Sequence, residues 1–219
     1  MSRTHPDHST AASLVFILIM AALSLIPEPS HADLITSGCA SASSCTVAEL
    51  GSGASFRMGD VYVSNWSVKT SSFDLTGLTI QFGGTPSSAE MDLVPTVRVL
   101  TVSNYSSASM TFAFEATGLD GVITNVEPRL GVRAVSGYSW DSPVIWQSTL
   151  IGTSPGTADL GTINETYTLY GPSGGGSIDV PDRKSVWVTT TYGLSANSGY
   201  AEGGTSTAMA SAVPIGGFS

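Results

Sequence analysis

Three aromatic side chains fall within nine residues in the stretch YSWDSPVIW: Tyr138, Trp140 and Trp146. Asp141 and Pro143 interrupt the run, so it reads as a loop entering a strand rather than as continuous strand. Flat rings on such a loop can stack on sugar rings, and these three are the candidate ligand-binding residues for a carbohydrate. The competing use of the same rings is packing at one end of a sandwich. A second aromatic pair, Tyr62 and Trp66, stands in FRMGDVYVSNWSV (56–68). Strict alternation after the Gly59-Asp60 turn puts Val61, Val63 and Asn65 on one face, and Tyr62, Ser64, Trp66 and Val68 on the other. Large rings dominate sandwich cores, so this pair is expected in the core.

Catalysis has little to work with. The three histidines, His5, His8 and His31, all precede a cleavage signal at Ala32-Asp33. The remaining chain has no imidazole for Ser-His-Asp or Cys-His chemistry, for zinc or for proton transfer. Glu90 and Asp92 in SAEMD would share one face of a strand, but no spacing rule gives them the separation of a glycoside-hydrolysing pair. Asp60, Asp120, Asp179 and Asp182 fall at turn signals, and no Asp-rich calcium loop occurs. No catalytic residue, metal or cofactor is expected.

The ends of the sequence point to export. Ala11 to Ile26 is a sixteen-residue apolar run, short of the ~20 residues a membrane-spanning helix needs. Pro27 and Pro29 break it, and Ser30-His31-Ala32 sets small residues three before and directly before Asp33. This reads as a signal-peptide helix over residues 1–32, with a secreted or cell-envelope destination and no stable membrane span after cleavage. Ser37-Gly38-Cys39 is a partial lipid-attachment signal, but Thr36 stands where Leu is usual, so a lipoprotein is not expected. Cys39 and Cys45 are the two cysteines, and in an oxidising compartment they are expected to form one small-loop disulfide. Removing residues 1–32 leaves 15 acids and 7 bases, a net charge near −8, with no basic cluster beyond Arg183-Lys184. Such a field makes nucleic acid and anionic membrane surfaces poor partners.

The elements that must position these residues are strands. Period-two alternation recurs over 61–68, 78–82, 96–102, 109–117, 129–135, 144–151, 166–170 and 184–192. In SMTFAFEAT (109–117), Met110, Phe112, Phe114 and Ala116 share one face. Turn signals separate the strands at Gly59-Asp60, Gly83-Gly84, Asp120-Gly121 and Ser154-Pro155-Gly156, and GPSGGGS (171–177) reads as a long surface loop. Helical periodicity is nearly absent. The expected fold is all-β: one antiparallel, jelly-roll-like β-sandwich domain over residues 33–219, preceded by the signal-peptide helix.

A signal peptide, the close pair CASASSC and then FRMGDVYVSNWSV resemble the N-terminal region of bacterial PEP-CTERM exported proteins, whose phrase has the form G-D-x-x-F-S-N-F-S. GLDGVITNVEPRLGVRAV is similar to the mid-domain stretch of those proteins, and TSTAMASAVPIGG sits where their last strand hands over to a sorting tag. Val63 and Trp66 depart from the phrase. The tag (Pro-Glu-Pro, an apolar helix and a basic end) has no counterpart after Val213-Pro214, and the Pro-Glu-Pro at 27–29 follows an apolar run instead of preceding one. Release instead of sorting, or a truncated gene, is the expectation. The resemblance implies a cell-surface or matrix setting in bacteria that make exopolysaccharide. In that setting the sequons at Asn65, Asn104 and Asn164 are chance products of a Ser/Thr-rich chain.

The expected function is a non-enzymatic structural or adhesive role at the bacterial surface or in the extracellular matrix. Extracellular polysaccharide and other envelope proteins are the expected partners. A carbohydrate-binding module using Tyr138, Trp140 and Trp146 is the alternative, and a carboxylate-pair glycan hydrolase or lyase a further one.

Overall fold

The computed structural model describes residues 34–70, 78–85, 88–94, 97–101, 106–137, 143–196, 199–209 and 212–214. The chain divides into two compact units, Met1–His31 and Ala32–Ser219. The first unit lies outside the described residues, as do the Ala32-Asp33 cleavage signal, Tyr138 and Trp140.

The second unit passes repeatedly between two sheets. β1 (Leu34–Ser37) lies in the first sheet and β2 (Ser44–Thr46) in the second. A short helix, α1 (Val47–Gly51), leads to the hairpin β3 (Ser55–Met58) and β4 (Val61–Thr70) in the first. β5 (Thr79–Thr85), β6 (Ser88–Val94) and β7 (Val97–Thr101) belong to the second, β8 (Ser106–Gly118) to the first, and β9 (Gly121–Gly137) to the second. β10 (Val144–Gly152), β11 (Gly161–Thr168) and β12 (Gly171–Gly174) form a meander in the first sheet. β13 (Ile178–Arg183), β14 (Ser185–Ala196) and β15 (Gly199–Met209) then alternate second, first, second, and β16 (Ala212–Pro214) pairs with β9.

The first sheet has the order β1-β3-β4-β8-β14-β10-β11-β12, and the second β13-β9-β15-β6-β5-β2 with β7 added on β15. Every described pairing is antiparallel. The fold is the expected all-β sandwich.

One apolar layer lies between the sheets. β8 turns Met110, Phe112, Phe114 and Ala116 inward, and β14 adds Val186, Val188, Tyr192 and Leu194, all buried. Ile80, Phe82, Met91, Ile123 and Val126 face them from the second sheet. Phe56 of β3 stacks on Phe82 of β5 with ring centroids 4.0 Å apart, joining the two sheets. Burying each large apolar side chain contributes about 1.5–3 kcal/mol, which favours this register over a one-residue slip. Two buried hydroxyls, Thr149 and Thr190, hydrogen-bond each other at 3.1 Å and so meet their polar demand inside the layer.

The face assignment around Trp66 differs from simple alternation. Asn65 takes φ +56, the left-handed region, and the β4–β8 register shifts between Ser64 and Ser67. This β-bulge adds one residue to β4 and turns Trp66 inward beside Val61 and Val63. Trp66 is 8% exposed and its ring lies 4.8 Å from that of Phe114. Tyr62 stays half-exposed on the outer face. The aromatic pair is therefore split between two faces: Trp66 is core and Tyr62 is not.

Cys39 and Cys45 form a disulfide with Cα atoms 5.0 Å apart. Glu49 of α1 receives Thr46 N–H at 2.7 Å in a capping box and also Ala40 N–H at 2.8 Å, tying the helix to the disulfide loop. These bonds, the Thr46 backbone first, hold the Glu49 carboxyl below its usual range. Gly171–Gly174, expected as loop, is a short edge strand, and the open turn follows it at 175–177.

Candidate functional site on the outer face of the first sheet

Alternation along β10 buries Ile145, Gln147, Thr149 and Ile151 and turns Trp146, Ser148 and Leu150 outward. The antiparallel registers then align outward residues in rows across the strands. One row runs Asn164, Ser148, Thr191, Thr111 and Lys69, and the next runs Thr162, Leu150, Thr189, Ala113 and Ser67. Hydroxyls dominate both rows. Thr111 and Thr191 share a hydrogen bond at 2.9 Å across β8 and β14. Cross-strand Thr pairs of this kind stabilise a sheet and keep their hydroxyls at its surface.

Trp146 lies at the end of this array. Its direct partner on β14 is Gly193. A Cβ built on Gly193 would run into Cε2 and Cζ2 of the Trp146 indole. The ring therefore lies down on the Gly193 backbone, which only a residue without a side chain permits. Trp146 is half-exposed, so part of the indole remains open to a ligand. Trp187, also outward-facing and half-exposed, is the partner of Gly152 on the same strand pair. Gly193 and Trp187 are six residues apart on β14, which is roughly 20 Å at strand rise.

The turn expected at Ser154-Pro155-Gly156 folds back over the sheet. Gly156 N–H donates to Thr189 Oγ1 at 2.9 Å. Under this cover Thr189 and Ala113 are buried although they point outward, at 9% and 7% exposed. A groove of about 280 Å³ remains between the turn and the sheet, lined by Ser67, Lys69, Thr111, Ala113, Thr189, Pro155 and Gly156. The turn is held from its far side by Asp159. That carboxylate accepts from Thr157 Oγ1 at 2.7 Å, Thr153 Oγ1 at 2.7 Å and Thr153 N–H at 3.0 Å. The bonds from Thr157 and then Thr153 hold its carboxyl far below the usual carboxylate range.

The charges on this face are few. Lys69 is exposed and forms no ion pair among the described residues, whose ion pair is Arg129–Glu127 in the other sheet. Glu115 sits one row beyond Ser67 and Ala113 and receives Asn65 Nδ2–H at 2.7 Å. Lys69 was legible as one of two lysines, but nothing in the sequence marked its convergence with Ser67, Thr111 and Thr189.

Of the carbohydrate candidates, Trp146 stands on this face, while Tyr138 and Trp140 are outside the described residues. Glu90 and Asp92 lie on β6, and only the Glu90 side chain, half-buried, is described. An acid whose carboxyl is raised, not lowered, has no mark in the sequence. Glu165 of β11 has its carboxyl raised by burial first and by the nearby Glu127 charge, against a bond from the Leu130 backbone and the Arg129 charge. Its Oε2 is buried without a hydrogen-bond partner. Among the described residues, no group of His, Cys, Asp and Glu is placed to hold a metal, and no helix is long and apolar enough to cross a membrane. The chain matches no known protein family and no curated protein.

Proposed function

We propose that this is an exported bacterial protein that acts without catalysis, holding extracellular polysaccharide on the outer face of its first sheet in a matrix or surface-adhesion role. The observation that carries the reading is the indole of Trp146 laid on Gly193 at the end of rows of hydroxyls. An aromatic face stacks on the C–H face of a sugar ring, while Ser and Thr hydroxyls both donate and accept to sugar hydroxyls. The resemblance to PEP-CTERM proteins and the Cys39–Cys45 disulfide support the extracellular setting. The test is retention of the purified protein by exopolysaccharide from its own source cells, with new reducing ends assayed in the same tubes. Retention without release of sugar ends is the expected result. Release of ends would replace binding with hydrolysis, and no retention would overturn the reading.

A further inference from the structure

We propose that the groove beneath the Pro155-Gly156 turn receives a carboxylate-bearing sugar unit, a uronic acid residue of an acidic polysaccharide, with its carboxylate on Lys69. The inference rests on the polysaccharide reading and adds a chemical class of ligand to it.

Three observations converge. The first is shape. About 280 Å³ lies between a sheet and an overhanging turn, close to the lower end of the roughly 300–1,000 Å³ typical of small-molecule sites. A sugar unit fits that space; a folded partner does not.

The second is preorganisation. Gly156 is bonded to Thr189, and the Asp159 carboxylate gathers Thr153 and Thr157, so the overhang is built before any ligand arrives. Little ordering entropy is then left for binding to meet. Thr189 Oγ1 accepts from Gly156 and keeps its own hydrogen to donate. Ser67 adds an exposed hydroxyl, and the Pro155 ring gives an apolar edge for the C–H side of a pyranose.

The third is charge. Lys69 brings an ammonium to this groove with no ion-pair partner among the described residues, and Glu115 is engaged by Asn65. A lone cation beside hydroxyl donors complements a carboxylate flanked by hydroxyls. The whole chain carries a net charge of −9, so a polyanion meets long-range repulsion rather than steering. Recognition must then be local, one carboxylate at Lys69.

The test compares polygalacturonate with the same polymer after its carboxyls are reduced to neutral galactose units, by titration calorimetry on the wild-type protein, Lys69→Gln and Trp146→Ala. A charge-assisted contact is expected to give the polyuronate about a tenfold advantage in wild type. Lys69→Gln should abolish that advantage, bringing the polyuronate to the level of the neutral polymer in the same variant, with an unchanged melting temperature, since Lys69 is exposed. Trp146→Ala should weaken both polymers alike. Equal binding of the two polymers by wild type, or an advantage that survives Lys69→Gln, would overturn the acidic subsite while leaving the polysaccharide reading standing. Failure of wild type to bind either polymer would overturn both.

Discussion

Trp146 and Gly193 face each other across β10 and β14, and the indole occupies the space that a Gly193 side chain would need. The glycine is thus the seat of the ring, and the two positions act as one feature. Gly193→Val should displace the indole without touching any hydroxyl. Polysaccharide binding is expected to fall about threefold to tenfold in Gly193→Val, as in Trp146→Ala. Iodide quenching of tryptophan fluorescence should rise in Gly193→Val, because the lifted ring gains exposure. Unchanged quenching together with unchanged binding would separate the ring from the ligand.

Asn65 decides which side of β4 carries Trp66. Its left-handed backbone costs an ordinary side chain about 1–2 kcal/mol, and Asn tolerates it best after Gly. Asn65→Ala should therefore lower stability by about 1–2 kcal/mol in urea unfolding, counting the lost bond to Glu115. Asn65→Gly keeps the backbone and should lose less. Deleting Asn65 removes the extra residue and restores plain alternation, Val63 inward, Ser64 outward and Trp66 inward, so the deletion should keep Trp66 in the core and leave the fold intact.

The same bulge marks where sequence reasoning stops. Alternation located β8, because Met110, Phe112, Phe114 and Ala116 repeat every second residue and each is buried. It also located β10 and β14, and the cysteine pair was legible from its spacing and setting. It put Trp66 on the face of Tyr62, because a period of two contains no extra residue, so the core expectation holds for Trp66 and fails for Tyr62. It did not see β15 either. GYAEGGTSTAM offers too few apolar side chains to alternate, and its partners β9, β6 and β7 make it a strand. The groove was hidden for a different reason. Ser67, Thr111 and Thr189 are far apart in the chain, and only the β4–β8–β14 register and the returning turn bring them together.

The disulfide loop and α1 stand or fall together, since Ala40 N–H reaches Glu49 from inside the Cys39–Cys45 loop. Replacing both cysteines by Ser should cost about 2 kcal/mol on the chain-entropy account, or about 4–8 °C in Tm for a domain of this size. Glu49 is held below its usual range, so its contribution is present above the ordinary Glu value of about 4.3 and is lost as pH falls through the lower folded value. Glu49→Gln should accordingly lower Tm at neutral pH and make no difference in strong acid. A Tm difference of the same size in strong acid would show that the carboxylate is not the group at work.

Glu165 has the opposite sign. Burial raises its carboxyl, so the unfolded chain ionises first as pH rises. Stability is then lost as pH climbs from the ordinary Glu value of about 4.3 through the folded value, and it returns on acidification. Glu165→Gln removes the charge and keeps the shape. It should raise Tm by about 1–2 °C at neutral pH and give no gain below about pH 4. A decrease in Tm at neutral pH would mean that the ionised carboxylate is stabilising, and it would point to a cation held there.

The overhanging turn depends on a backbone that can take no side chain at Gly152. A Cβ there would lie 2.5 Å from the Thr157 carbonyl oxygen and 2.6 Å from Asp159 Oδ1. Gly152→Ala should push the turn off the sheet, break the Gly156–Thr189 bond and open the groove. Binding of the groove's ligand should drop by about tenfold, while the Trp146 platform remains. Asp159→Asn reaches the same end by chemistry: the amide oxygen can still accept the Thr153 N–H and the Thr157 hydroxyl, but the amide nitrogen cannot accept the Thr153 hydroxyl, and the charge that strengthens all three bonds is gone. The depressed carboxyl fixes the pH sign, with order in the turn present above the ordinary Asp value of about 3.9 and lost only as pH falls through the much lower folded value. Amide exchange at Gly156 reads this directly. Its protection should persist in mildly acidic buffer for the wild-type protein, be lost in Asp159→Asn at neutral pH, and be lost in Gly152→Ala at every pH. Protection that survives in Asp159→Asn would mean that the turn is held by its contacts with the sheet and not by its own carboxylate.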